Sequence, residues 1–250
     1  MLDKTLLFIE YIHMKMLVKT LGGSTAYGLN TPESDLDYRG VFINTDPAKI
    51  LGLERMNHIQ KQETDDIVYY EVRKFFELLR NGNTGALEIL FSDNLLETSD
   101  VFEEIQTNKL KFVETDKMFR CLLGYMQGER RLANGERTGQ LGSKRKAHLD
   151  KYGFSPKNFT QLFRLANCGK ALFEKGYFPV NMKQYDTNVH AFLMLVKTQP
   201  ETYTVEQLNF LADNYEIELK KAYENRKFNY EFDHKYANDV LRRAYLPYLQ

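Results

Sequence analysis

The sequence predicts an α+β protein: a small mixed-sheet unit over residues 1–95, followed by an α-helical unit over residues 96–250. Three observations lead there. Stretches rich in β-branched and aromatic residues (16–21, 36–43 and 66–70) all lie in the first third of the chain. From Glu71 onward, apolar residues recur at helical rather than alternating spacing. The first strand stops at Gly22-Gly23 and is followed by Asn30-Thr31-Pro32-Glu33-Ser34, which is turn chemistry.

Taken in order, residues 3–14 predict a short helix with Leu6, Leu7, Ile9 and Tyr11 as its apolar faces. Residues 16–21 predict a strand, and 24–29 a short helix opened by Ser24. Residues 36–43 predict the second strand, ending on Val41, Phe42 and Ile43. Two further strands are expected over 58–63 and 66–70, separated by Thr64-Asp65. Val72, Phe75, Phe76 and Leu79 share one face of a helix over 71–80. Helices follow over 84–91, 100–111, 116–132, 157–175, 187–198, 204–224 and 234–246. Thr204 with Gln207 three residues later forms a capping-box pattern. Residues 133–156, with Gly135, Gly139, Gly142 and Gly153 and few apolar side chains, predict a long loop.

Composition narrows the function classes. Hydrophobic residues at 43% and charged residues at 27% exclude a disordered chain. Lys+Arg and Asp+Glu balance at 34 each, so only the distribution of charge carries information. Between residues 130 and 170 that distribution is uneven. Ten basic residues (Arg130, Arg131, Arg137, Lys144, Arg145, Lys146, Lys151, Lys157, Arg164 and Lys170) face two acids, Glu136 and Asp150. This is either a solvated face or an electropositive wall for phosphates. Cys121 and Cys168 form no CxxC, which argues against a disulfide framework or a cysteine zinc site. The five histidines show no HxxxH spacing. No stretch approaches the roughly 20 apolar residues of a membrane span. A cytoplasmic setting, without membrane partners, is the expectation.

The chemistry concentrates in residues 23–41. A strand ending in two glycines and a serine lets a ligand approach the backbone, and a helix start offers N–H groups to phosphate. Asp35 and Asp37 flank one residue of the expected strand, so both carboxylates share a face. Two adjacent carboxylates repel unless a cation lies between them, and hard oxygen ligands suit Mg²⁺ or Mn²⁺. A phosphate cradle beside such a pair is apparatus for phosphoryl or nucleotidyl transfer.

Gly23-Ser24, a spacer, then Asp35-Leu36-Asp37 resembles the signature of the DNA polymerase beta-like nucleotidyltransferase superfamily. The longer form, Gly23-Ser24-x-x-Tyr27-Gly28 through Ser34-Asp35-x-Asp37-x-x-Gly40-Val41, resembles the branch that includes the RNA-ligase-associated (RNA repair) polymerase beta family. Arg73 through Asn83 and Leu87-Glu88-Ile89-Leu90 are also similar to that branch, with Asn83-Thr84 where the branch has Asn-Pro. A second region, Tyr152-Gly153-Phe154-Ser155-Pro156-Lys157 with Leu162-Phe163-Arg164, is similar too. There Thr160 or Gln161 stands in place of the usual His.

The resemblance implies a third metal-ligating carboxylate on a later strand: Asp66, with Asp65 and Glu71 as rivals. It implies two Mg²⁺ or Mn²⁺ ions on Asp35, Asp37 and Asp66, about 3.5–4 Å apart, and an NTP as substrate. Gly23 and Ser24 would hold the phosphates. Lys157 and Arg164, seven residues apart on one helix face, would neutralise the leaving pyrophosphate. Tyr27 is read as stacking on a base or packing its helix, and Arg39 as pairing a carboxylate or touching a phosphate. Glu88 is read as a buried polar contact, and the aromatics of the C-terminal helices as core. The implied reaction moves an NMP to a hydroxyl, in a cleft between the two domains. The implied acceptor is an RNA 3′ end, in repair or tRNA tailing. The alternatives are protein nucleotidylation of the antitoxin kind, and a non-catalytic nucleotide- or RNA-binding module.

Overall fold

The computed structural model describes residues 13–52, 56–62, 66–136 and 143–249. In chain order the elements are β1 (Met14–Leu21), α1 (Gly23–Ala26), β2 (Asp37–Asn44), α2 (Pro47–Leu51), β3 (His58–Gln62) and β4 (Asp66–Glu71). Then come α3 (Val72–Arg80), α4 (Thr84–Phe91), β5 (Leu95–Thr98), α5 (Asp100–Thr107), α6 (Thr115–Ala133) and α7 (Ser143–Tyr152). The remainder is α8 (Pro156–Lys175), α9 (Met182–Tyr185), α10 (Thr187–Thr198), α11 (Val205–Glu224) and α12 (His234–Tyr245).

These elements form two compact units. One comprises residues through Ala26, Asn30–Glu114 and Tyr230 onward; the other comprises Tyr27–Leu29 and Thr115–Asn229. The division expected at residues 95 and 96 therefore falls later, and the chain crosses between units more than once.

In the first unit, five strands form a mixed sheet in the order β3-β4-β2-β1-β5. β2 and β4 are parallel; the other neighbours are antiparallel. Val41, Phe42 and Ile43 are buried in succession, as a centrally placed, covered strand requires. In β1 the register slips between Met16 and Val18, and Leu17 and Val18 are both buried there. The helices start on side-chain caps. Glu71 accepts from Arg73 N at 2.9 Å for α3, and Asn83 from Ala86 N at 3.0 Å for α4. Phe75, Phe76, Phe102 and Phe112 pack in series, with ring centroids 4.9–6.4 Å apart. α12 belongs to this unit although it comes last. Asp233 N donates to Lys111 O at 2.8 Å, Tyr236 donates to Glu104 at 2.8 Å, and the Tyr245 hydroxyl donates to the buried Glu71 carboxyl.

The second unit is built around α8. That helix is buried nearly all round, with Phe159, Leu162, Phe163, Leu165, Leu172 and Phe173 in the core. Gly169 sets how closely its neighbours approach. A Cβ there would lie 2.6 Å from both Leu122 of α6 and Leu219 of α11. α11 opens with the expected capping box: Gln207 N donates to Thr204 Oγ1 at 3.3 Å, and Thr204 N to Gln207 Oε1 at 2.9 Å. The aromatics of α11 are not uniformly core: Tyr223 stacks on Phe119 at 3.8 Å and Tyr215 packs on Phe163 at 5.0 Å, both half-buried, while Phe210 is exposed.

Several sequence expectations change. The loop expected over 133–156 contains α7, whose Ser-Lys-Arg-Lys-Ala-His-Leu-Asp-Lys-Tyr has helix formers but too few apolar residues to show a stripe. The helix expected over 24–29 is one turn, because Tyr27–Leu29 leaves for the second unit. β5 was not expected. The helix expected over 3–14 falls almost wholly outside the described residues. Among the described residues, no helix is long and apolar enough to cross a membrane.

Candidate active site

β2 and β4 run parallel in a register that sets Asp37 beside Asp66. Side chains at such paired positions point to the same face, so two carboxylates from strands nearly thirty residues apart in sequence become neighbours. The cation that their repulsion demands is Arg39. It lies two residues along β2 and therefore on the same face. Its Nη2 donates to Asp37 Oδ1 at 3.2 Å and to Asp66 Oδ2 at 3.0 Å. Its Nη1 donates to the backbone carbonyls of Tyr38 at 3.1 Å and Asp66 at 3.0 Å. Asp66 Oδ1 is buried and, among the described residues, has no hydrogen-bond donor.

Asp35 is placed differently from the expectation. β2 begins at Asp37, so Asp35 sits in an exposed irregular stretch between a turn and the strand. Pro32 and the bond from Ser34 N to Thr31 O, at 2.9 Å, hold the preceding residues in a turn, and the extended backbone that would align i and i+2 starts later.

The glycines are there for space. Gly23 has φ of +57°, and a Cβ on it would come within 1.9 Å of Asp37 Oδ2. A Cβ on Gly22 would lie 2.4 Å from Arg39 Cγ and 2.8 Å from Glu88 Oε1. The Gly22-Gly23 bend thus lets the Asp37 and Arg39 side chains lie against the backbone. Glu88 supports it from α4, accepting from Gly23 N at 2.9 Å. This agrees with the reading of Glu88 as a buried polar contact and gives that contact a partner. Glu88 is the one charge in Thr-Gly-Ala-Leu-Glu-Ile-Leu-Phe, and a lone carboxylate in an apolar helix is the signal that points to such a bond. Ser24, in the single turn of α1, is half-buried.

Of the rivals for the third carboxylate, Asp65 lies outside the described residues. Glu71 sits at the far end of β4, paired with Phe42, and is committed to capping α3 and to Tyr245. Burial pushes its carboxyl above the usual range, partly offset by the bonds from Tyr245 and Arg73.

The remaining candidates lie in the second unit. Three consecutive carbonyls of Tyr27–Leu29 are held there: Tyr27 O by Met182 N at 3.1 Å, Gly28 O by His190 Nε2 at 2.7 Å, and Leu29 O by Lys197 Nζ at 2.5 Å. Since a carbonyl only accepts, the His190 proton resides on Nε2. Burial lowers the Lys197 ammonium pKa, and the nearby Lys157 charge adds to that. Tyr27 is 2% exposed, with the Arg164 guanidinium 3.6 Å from its ring centroid. Arg164 is itself buried and donates to Gln161 Oε1 at 3.2 Å, whereas Lys157 is exposed. The shared helix face expected for these two residues is thus divided between core and solvent. The basic 130–170 segment is divided as well. Arg130 pairs with Asp213 and Asn209, and Lys170 with Glu218, while Arg131, Lys146 and Lys151 remain exposed.

The Asp37–Asp66 pair fits a divalent cation. Its donors are hard oxygens, they already share one cationic group, and one buried oxygen lacks a hydrogen-bond donor among the described residues. Among the described residues, no three carboxylate, imidazole or thiol groups converge into a metal-binding cluster.

Over 127 residues the chain is 30% identical to an uncharacterized 38.9 kDa protein of Enterobacteria phage T4, from the nrdC-mobD intergenic region. That match spans 46% of this chain and 37% of the phage protein. A nucleotidyltransferase-like protein from Exiguobacterium sibiricum aligns over 88% of this chain and 73% of its own, at 18% identity and a TM-score of 0.32. Residues 4–243 match a family as a whole, and on that match the chain belongs to the RNA repair pathway DNA polymerase beta family.

Proposed function

We propose that this protein is a metal-dependent nucleotidyltransferase that moves an NMP from an NTP to a hydroxyl at an RNA 3′ end. The observation that carries this reading is the parallel register setting Asp37 beside Asp66, next to a glycine bend that makes room for Asp37 and Arg39. In the reaction, the acceptor oxygen bonds to the α-phosphorus. The bond from that phosphorus to the bridging oxygen breaks, and pyrophosphate departs. A divalent cation on Asp37 and Asp66 would supply Lewis-acid stabilisation of the phosphoryl charge, with Asp35 as the further ligand if its stretch swings inward. Asp66 would be the chain's acceptor for the hydroxyl proton. Gly23 and Ser24 give the phosphates close access to the backbone.

RNA as the acceptor is supported by the family description and by the exposed Arg131, Lys146 and Lys151. The test incubates the protein with each labelled NTP, Mg²⁺ or Mn²⁺ and total cellular RNA, then separates labelled RNA from labelled protein. Label in RNA that is lost in Asp37→Asn and Asp66→Asn supports the reading. Label in protein alone replaces RNA with a protein acceptor. Equal labelling by wild type and both variants refutes the chemistry.

A further inference from the structure

We infer that Arg39 is a resident counter-ion of the carboxylate pair, which a divalent cation must displace and which a triphosphate draws away. The inference rests on the proposed function and adds to it the order of events at the site. Four donor bonds hold the guanidinium, two to the carboxylates and two to backbone carbonyls. A guanidinium does not lose its charge at any pH the fold survives, so proton loss cannot vacate the site. The side chain has to move.

The surroundings permit that movement. The side chains of Arg39, Asp37 and Asp66 are 18%, 21% and 32% exposed, so each reaches solvent. The Arg39 stem passes over Gly22, where a Cβ would block it at 2.4 Å. Phosphate offers the bidentate acceptor pair that a planar guanidinium favours. An incoming triphosphate therefore exchanges with Asp37 and Asp66 as the partner of Arg39, leaving the carboxylates to a metal that arrives with the nucleotide. Metal without nucleotide meets a carboxylate pair already half-neutralised by Arg39.

A purely structural arginine would behave otherwise. Its removal would weaken the site for every ligand, whereas the exchange predicts opposite signs for the two ligands. Mn²⁺ binding without nucleotide is measured by electron paramagnetic resonance titration of wild type, Arg39→Gln and Arg39→Lys. Binding of a nonhydrolysable NTP is measured separately in EDTA. Arg39→Gln is expected to bind Mn²⁺ roughly tenfold more tightly, the scale of one charge interaction at a partly solvated site. It is expected to bind the analogue in EDTA roughly tenfold more weakly. Arg39→Lys keeps the charge but not the fork, falls between the two, and carries the comparison if the glutamine variant does not fold. Mn²⁺ affinity equal to or below wild type in the folded variants overturns the exchange. So does failure of both variants to fold even with Mn²⁺ present, which would make Arg39 a structural tie. Absence of Mn²⁺ binding by every protein, with or without nucleotide, sinks the metal-dependent transfer reading itself.

Discussion

The sheet unit and the helical unit use charge in opposite ways. In the first, strand register collects Asp37, Asp66 and Arg39 on one half-exposed face, where their charges remain available. In the second, the cations that look most conspicuous in the sequence are divided: Arg131, Lys146, Lys151 and Lys157 stay exposed, while others are absorbed. Arg164 is buried against Tyr27, and Arg130 and Lys170 close ion pairs within their own unit. The contrast teaches that residue spacing along a strand places a functional group more reliably than local charge density along a helix. A strand has two faces fixed by its period, whereas each cation on a helix can find an acid on a neighbouring helix.

The sharpest way to break this comparison is at Gly23. Gly23→Ala demands a left-handed backbone from a residue with a Cβ and drives that Cβ into Asp37. Misplacing the carboxylate is expected to lower NMP transfer by about a hundredfold or more, and transfer kinetics at saturating NTP read it. Near-normal activity would mean the bend does not govern the site. Next, Gly169→Ala tests whether the helical unit is held by packing rather than charge. A methyl 2.6 Å from Leu122 and Leu219 is expected to cost about 1–3 kcal/mol, measured by urea unfolding.

A smaller effect is expected at the Glu71–Tyr245 contact that anchors α12. Tyr245→Phe removes a donor to a buried carboxyl and is expected to cost about 0.5–1.5 kcal/mol. The same carboxyl gives a pH signature. Burial raises the folded pKa of Glu71 above its ordinary 4.5, so the fold holds that proton more tightly than the unfolded chain does. Its contribution is fully present below 4.5 and is lost as pH rises through the raised value. Glu71→Gln, neutral throughout, is expected to flatten stability against pH over that window; an unchanged slope would assign the dependence elsewhere. The smallest effect belongs to Lys170→Ala, which removes a partly exposed pair with Glu218 and is expected to change stability by about 0–1 kcal/mol. A clear loss of RNA labelling in that variant, with stability intact, would restore the basic segment as a working surface and undo the contrast.

Much of the architecture was legible because it is local. β1, β2 and β4, the apolar stripe of α3 and the capping box of α11 follow from period and cap chemistry within a few residues. β5 escaped notice because Leu95-Leu96-Glu97-Thr98 shows no alternation, and Leu96 is 54% exposed. α7 escaped because its residues offer propensity without an apolar face. At the site, Asp37 and Asp66 could be nominated from the sequence, but their adjacency depends on a register between strands that no local pattern encodes. The same holds for Glu88 reaching Gly23 from α4. Asp35 shows the converse: its spacing from Asp37 suggested a shared strand, and the Thr31–Ser34 turn delays the strand by enough to remove it.

Residues Tyr27–Leu29 and the stretch from Tyr230 onward interleave the two units along the chain. During synthesis, the sheet that carries Asp37 and Asp66 therefore cannot acquire the packing of α12 until His234–Tyr245 has left the ribosome. A nascent chain halted before α12 would present an unfinished sheet with Glu71 still lacking Tyr245, and so the protein is not built to be active, or to be divided, in halves.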